Sequence, residues 1–460
     1  MSDVVIARIR ILLFFTFSAA FITFSIKRYF QITVKATIQP NAKNTSTKAH
    51  TQELHPTEIS LRNLIELDGA GSWPPKTSYG KAWPGVLRPY HDIYLELVPS
   101  LSTAELSIDD CVNYQRCLDY RAKYRHALEE RINIEKVDAL LSAAEKEDTK
   151  TLLREAWNGL FACIALSRHA YRWGTIPIVK LAQEEQVVNM PAQLDVPWEY
   201  LKRRFGVTSP GGNITSNYLC NFNNKAQLVY QINPSIYNFA HLLPAMEEQA
   251  LQIYHVITES IQQHTIGDRK APLQTLRQIK LALRRLLKLY YETMLESKIS
   301  RKVWMRYVQG FQGWAAGTID PIIGEYTEYD ELSGNQLLLP QVIDAFLGLD
   351  GYLTTENTVR FIPKRQREFR DLIREHSFRQ VAKDAGDFEV EEEMCNVVKQ
   401  TRVFRTAHRV RVEPYLSVPA PERLIMTAGK SVLENDQVHD YEAAIALLDM
   451  TLADRLAETR

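Results

Sequence analysis

A histidine and an arginine near the carboxyl end are spaced in a way that suits ligand binding. The segment from Glu389 to Tyr415 starts acidic and turns basic, as the dipole of an α-helix favours. Helical periodicity puts His408 on the buried stripe, with Arg405 one turn before it. An inward imidazole can bind haem iron, and a nearby guanidinium can pair with a haem propionate. A core histidine with one hydrogen bond, beside an arginine paired with a carboxylate, fits the same pattern.

The rest of the body is also predicted to be helical. Apolar residues recur at helical spacing over residues 149–172, behind a predicted cap at Asp148, and over 236–264 and 271–297. No segment alternates well enough to build a sheet. We therefore predict an all-α chain, with a smaller helical domain over residues 58–225 and a larger one over 226–460.

Composition and charge limit the function classes. Lys plus Arg and Asp plus Glu are equal at 55 each, so the sequence does not indicate a nucleic-acid partner. The five cysteines are scattered and contain no Cys-x-x-Cys pair, which argues against a zinc cluster and a disulfide framework. The fragment Ala428-Gly429-Lys430-Ser431 resembles the end of a phosphate-binding loop, but Leu424 stands where that loop needs its first glycine.

The amino-terminal segment is predicted to meet a membrane. Ile11 to Ile26 is a run of 16 uncharged residues with basic residues on both sides, and we interpret residues 1–30 as a single-pass anchor. A signal peptide cleaved near Ser18-Ala19-Ala20 is the alternative. Residues 31–57 are polar and predicted to be a flexible linker. We expect the body to face the cytosol, although the flanking basic residues do not decide the orientation.

Six stretches resemble the indoleamine 2,3-dioxygenases, in the same order and with fitting spacings over roughly residues 60–416. They are Ala170-Tyr171-Arg172-Trp173-Gly174, Val196-Pro197-Trp198, Gly313-Trp314, Ser333-Gly334-Asn335-Gln336 with the Gln341 to Gly348 block, Phe361 to Phe369, and Arg405-Thr406-Ala407-His408. Each stretch is short, so the resemblance depends on their common order.

The resemblance implies a two-domain helical fold with haem b in the larger, carboxyl-terminal domain. His408 would be the proximal ligand of the haem iron. Arg405, Asp344 and Trp314 would form a polar cluster beside a haem propionate, where a buried ion pair and ordinary core packing are the alternatives. Ser333 and Gly334 would lie in the loop over the haem, where a helix cap at Ser333 is the alternative.

The sequence departs from the family where substrate is bound. The family's arginine for the substrate carboxylate falls on Val308, and its distal phenylalanine pair falls on Val303 and Trp304. Arg306 is two residues from Val308, about 200° around a helix, and so cannot replace that arginine. Losing such a pairing costs on the order of 2 to 5 kcal/mol of binding free energy, which argues against free tryptophan as substrate.

The expected activity is insertion of O2 into an indole or related aromatic metabolite, with ring cleavage between C2 and C3. A peroxide-driven haem oxidase of the same fold is an alternative, and so is a non-enzymatic haem-binding protein. A helical interaction scaffold without haem is a further alternative from a different class. We expect the protein to be a monomer.

Overall fold

The computed structural model describes most of the chain after residue 53. The described residues are 54–101, 107–147, 150–174, 181, 184–222, 234–304, 313–314, 316–320, 322–329, 332, 334–416 and 441–459. Of the predicted site residues, Ser333 lies outside this set, as do Val308, Arg306 and the fragment 428–431.

Helices dominate the described residues, which confirms the all-α prediction. The first six are α1 (Pro56–Asn63), α2 (Arg88–Leu97), α3 (Asp110–Arg131), α4 (Ile134–Glu147), α5 (Arg154–Trp173) and α6 (Ala192–Phe205). The next six are α7 (Pro234–Thr265), α8 (Ala271–Thr293), α9 (Leu338–Leu347), α10 (Thr355–Phe361), α11 (Lys364–Glu375) and α12 (Arg379–Asp384). The last two are α13 (Phe388–Leu416) and α14 (Tyr441–Glu458).

Short elements join these helices. Single helical turns cover Gly80–Ala82, Val98–Ser100, Arg301–Val303 and Gly334–Gln336, and π-helical turns cover Leu64–Asp68 and Thr215–Leu219. Strands β1 (Gly317–Ile319) and β2 (Tyr326–Glu328) form an antiparallel hairpin in which Thr318 pairs with Thr327. Each strand has three residues, which is too short for an alternating sequence pattern to reveal.

Three long helices, α7, α8 and α13, form the part of the fold that matters most for the site. Helix α8 packs along both α7 and α13. Its buried face includes Leu276, Ile279, Leu283 and Leu286, which repeat at the three- and four-residue spacing of an amphipathic helix. Their sequence patterns predicted all three helices, with ends that agree to within four residues.

Helix α5 is a buried element, and its start differs from the prediction. All of its residues from 156 to 173 are buried. The helix begins at Arg154, with Leu153 rather than Asp148 at the N-cap position. Residues 150 and 151 form a turn instead of continuing the helix. Because of this turn, the predicted start of the helix at residue 149 was wrong. The predicted cap, Asp148, lies outside the described residues.

The domain and membrane predictions concern other parts of the chain. Residues from Leu54 to Arg460 group into one compact unit, and the predicted division near residue 225 stays a prediction. Within the described residues, no helix is both long and apolar enough to cross a membrane. The predicted anchor, residues 1–30, lies outside them.

Candidate ligand cavity around His408

A cavity of about 290 Å³ lies among α7, α8, α9, α13 and α14. Its walls are mainly aliphatic and aromatic, with Leu242, Leu243 and Met246 from α7 and Leu283, Leu286 and Tyr290 from α8. Ile214 and Tyr218 also line it, although they precede the predicted domain boundary. Ligand sites commonly have this composition, with an apolar wall and few polar groups.

His408 lies on the face of α13 that lines this cavity, as the helical pattern predicted. Thr401, Arg405, Val412 and Tyr415 line it from the same face. The His408 ring is partly buried, because protein surrounds it while one part faces the cavity. The centre of its ring is 5.7 Å from that of Tyr290. Among the described residues, no group forms a hydrogen bond with the His408 ring.

Burial decides the charge of His408. The surrounding protein disfavours the imidazolium and lowers the pKa of His408 from 6.5 to about 4. The ring is therefore neutral at pH 7 and keeps a nitrogen lone pair, which is the form that binds a metal.

The polar end of the cavity is built around Asp344 of α9. Each oxygen of its carboxylate accepts a hydrogen bond from a different arginine, Arg405 of α13 and Arg455 of α14. Burial raises the pKa of Asp344, while the charges of both arginines oppose that rise. Arg405 also donates to the Thr459 hydroxyl. The structure thus shows the buried ion pair of Arg405 with Asp344 that the sequence analysis gave as the alternative, within a larger cluster, and the haem propionate beside it stays a prediction.

Helix α14 was missed as part of the site by the sequence reasoning. It contributes Leu452 and Arg455 to the cavity, three residues apart on one helical face. A bidentate ion pair of 2.7 and 2.7 Å between Arg409 and Asp449 joins α14 to α13. The only sequence signal was this local spacing, which does not show where α14 packs.

Aromatic side chains form another part of the wall. Trp304 packs edge-on against Phe239 at 4.4 Å and against Tyr415 at 5.9 Å, measured between ring centres. The Tyr415 hydroxyl donates to the carbonyl of Ile299 at 2.6 Å. In contrast, the Trp304 indole N–H and the Tyr290 hydroxyl are buried and have no hydrogen-bond partner among the described residues.

The structure brings most, but not all, of the predicted site residues together. His408, Arg405, Asp344 and Gly334 all line the cavity. Trp314 does not: its ring lies 4.4 Å from that of His169 on α5, and its carbonyl accepts from Arg172. The buried core packing that the sequence left open for Trp314 is what the structure shows.

Within the described residues, no three His, Cys, Asp or Glu side chains are grouped so as to hold a metal ion. A haem iron takes only one or two ligands from the protein, so this result does not bear on haem. None of the five cysteines, all of which lie among the described residues, is in a disulfide.

Comparison with known proteins adds no assignment. No protein-family model matches the chain, and no curated protein matches it. The resemblance to the indoleamine 2,3-dioxygenases therefore depends on the six motifs and stays a prediction.

Proposed function

We propose that the chain is a haem-dependent dioxygenase that acts on an indole or a related aromatic compound, and that His408 would bind the iron of haem b. The observation that carries this proposal is the environment of His408. A neutral imidazole, with no hydrogen-bond partner in the described part of the chain, lies in a mainly apolar cavity next to a cluster with two arginines.

The chemistry of the residues fits haem. A porphyrin is flat and apolar and carries two carboxylates at one edge. Leucine, methionine and aromatic side chains of α7 and α8 suit its apolar body, while Arg405 and Arg455 suit a carboxylate. Neutral His408 suits the iron.

Bound haem would supply oxygen binding and the redox chemistry of the reaction, so the protein needs no general base of its own. His408 would hold and electronically tune the iron. The apolar wall would exclude water and place an aromatic substrate by shape. Trp304, with its unpartnered N–H, would add one donor for a substrate oxygen where the family resemblance implies a phenylalanine.

The substrate is proposed to be an aromatic other than free tryptophan. Val308 stands where the resemblance implies an arginine for the amino-acid carboxylate. The only charged side chains that line the cavity, among the described residues, are Asp344, Arg405 and Arg455. Asp344 is the one carboxylate among the described lining residues, and it already accepts from both arginines. The ammonium group of an amino acid would therefore find no further carboxylate among these residues.

The first test is the visible spectrum of the full-length chain, purified in detergent with haem supplied, and of His408→Ala. The control is His126→Ala, because the His126 side chain is 78% exposed and α3, on which it lies, contributes no described residue to the cavity wall. We expect a Soret band in the parent and the control, and its loss or shift in His408→Ala. A parent protein that takes up no haem would refute the proposal and leave a helical scaffold.

The second test separates the haem functions. Ferrous protein is given candidate indoles under ¹⁸O2, and the products are weighed by mass spectrometry. A dioxygenase adds two labelled atoms, whereas a peroxide-driven oxidase works with hydrogen peroxide and incorporates no label from O2. A protein that binds haem and converts none of the indoles is a non-enzymatic haem protein.

We also propose that residues 1–30 anchor the protein to a membrane, with the body in the cytosol. The support is the uncharged run from Ile11 to Ile26 and its basic flanks. Alkaline carbonate extraction of membranes tests it, since an anchored chain stays in the pellet. A mature protein that begins after residue 20 would instead show a cleaved signal peptide.

A further inference from the structure

We propose that Arg455 of the carboxyl-terminal helix and Arg405 together form a binding site for a carboxylate of the ligand, and that Asp344 holds the two guanidinium groups in position. This inference rests on the proposed use of the His408 cavity for a ligand. It assigns a binding role to α14, which the sequence reasoning did not include in the site.

The cluster of Arg405, Arg455 and Asp344 has an excess positive charge. Arg405 and Arg455 carry two positive charges on side chains that are 16% and 11% exposed, against the single negative charge of Asp344. The three groups sum to +1. Glu458 also pairs with Arg455, but its side chain is 57% exposed and is screened by solvent. A buried excess charge is costly unless it is paired, so an anion from the ligand would stabilise this end of the cavity.

Both arginines have N–H donors that no described residue accepts. A guanidinium has five N–H donors. Arg405 uses one on Asp344 and one on Thr459, which leaves three. Arg455 uses one each on Asp344, the Asp350 carbonyl and Glu458, which leaves two. Both arginines line the cavity, so these donors are near the ligand space.

The two guanidinium groups are held in position by other contacts of the protein. Asp344 is almost fully buried and accepts from one arginine at each oxygen, which fixes the two guanidinium groups relative to each other. The Arg409–Asp449 ion pair fixes α14 against α13. A carboxylate that enters this end meets donors already in place, and little side-chain entropy is then lost on binding.

Two sources of carboxylate fit the site, namely a haem propionate and an acidic side chain on the aromatic substrate. The test compares matched ligands with and without the charge. For the first source the pair is haem and its dimethyl ester, titrated into the full-length chain by the Soret band. For the second source the pair is indole-3-acetate and indole-3-acetamide, titrated into the haem-loaded chain.

The decisive variant is Arg455→Gln, with Arg402→Gln as the control because Arg402 is an exposed arginine of α13. We expect Arg455→Gln to weaken binding of the carboxylate member of one pair by at least about tenfold, which equals about 1.4 kcal/mol. Binding of the neutral member is expected to stay unchanged. If Arg455→Gln weakens the binding of haem but not of its ester, the arginines bind a haem propionate. If it weakens the binding of indole-3-acetate but not of the acetamide, they bind a carboxylate of the substrate.

Arg455→Lys keeps the charge without the planar fork and is expected to retain an intermediate preference. It also keeps the test valid should Arg455→Gln fold poorly, as judged by circular dichroism. Equal preferences in the parent and both Arg455 variants, for both ligand pairs, would overturn the inference.

A failure of the proposed function would look different. If the parent takes up no haem, the indole pair is titrated into the haem-free chain by calorimetry. An Arg455-dependent preference for indole-3-acetate would then support the carboxylate site while the haem proposal fails. No preference would overturn the carboxylate site as well.

Discussion

Replacing His408 with leucine should make the haem-free protein less sensitive to acid. Burial lowers the pKa of His408 to about 4, compared with 6.5 in an unfolded chain. Between pH 6.5 and about pH 4, the imidazole of residue 408 is therefore mostly protonated in the unfolded chain and mostly neutral in the folded chain. The free energy of unfolding then falls as the pH drops from 6.5 towards 4, and levels off below 4.

The size of the effect follows from the two pKa values. At roughly 1.4 kcal/mol for each factor of ten, the full loss is about 3 kcal/mol, and about 2 kcal/mol of it is reached at pH 5. Urea unfolding of the haem-free chain at pH 8 and pH 5, followed by far-ultraviolet circular dichroism, measures it. The parent should lose about 2 kcal/mol more between these pH values than His408→Leu does.

The comparison isolates this one group. Burial also lowers the pKa of His55, His255 and His264, but these residues act equally in both proteins and cancel. Any repacking cost of leucine is independent of pH and cancels too. Equal losses in the parent and in His408→Leu would refute the claim that the His408 ring is neutral because it is buried.

Two further predictions concern packing. The Tyr254 hydroxyl donates to the buried carboxylate of Glu247 at 2.6 Å, whereas the Tyr290 hydroxyl has no partner in the part of the chain that the structure describes. Tyr254→Phe should thus lower the free energy of unfolding by about 1 to 3 kcal/mol and Tyr290→Phe should not lower it, as measured by urea titration. Gly174 has φ +66°, and an added Cβ would lie 2.8 Å from a carbonyl oxygen of α3. Gly174→Ala should lower the melting temperature more than Gly267→Ala, where φ is +80° but no atom is within 4 Å.

Local periodicity was sufficient to predict the long helices and the face of α13 that carries His408. Apolar residues on α7, α8 and α13 repeat at helical spacing over 20 residues or more, and burial against neighbouring helices follows from that repeat. Arg405 and His408 are three residues apart, so they lie on the same, inward face of the helix. Such features need only the sequence of one segment.

Features that depend on distant contacts could not be predicted. Asp344 is 61 residues from Arg405 and 111 residues from Arg455, and nothing local to any of the three indicates the other two. The family resemblance placed Arg405 and Asp344 in one polar cluster with Trp314, and did not include Arg455. Trp314 shows the opposite case, because a buried tryptophan near a motif can pack in another part of the core, here against His169.

The order of the groups along α13 sets the direction in which a ligand would lie. With a rise of about 1.5 Å per residue, Arg405 is about 4.5 Å before His408 along the helix axis, and Tyr415 is about 10 Å after it. The charged cluster is thus at one side of His408 and the aromatic wall of Tyr415 and Trp304 at the other. A ligand with a carboxylate at one edge gains from only one orientation, with the acid at Arg405 and the apolar body extending past His408. This asymmetry is why removing Arg455 should change which ligand is preferred, and not only how tightly any ligand binds.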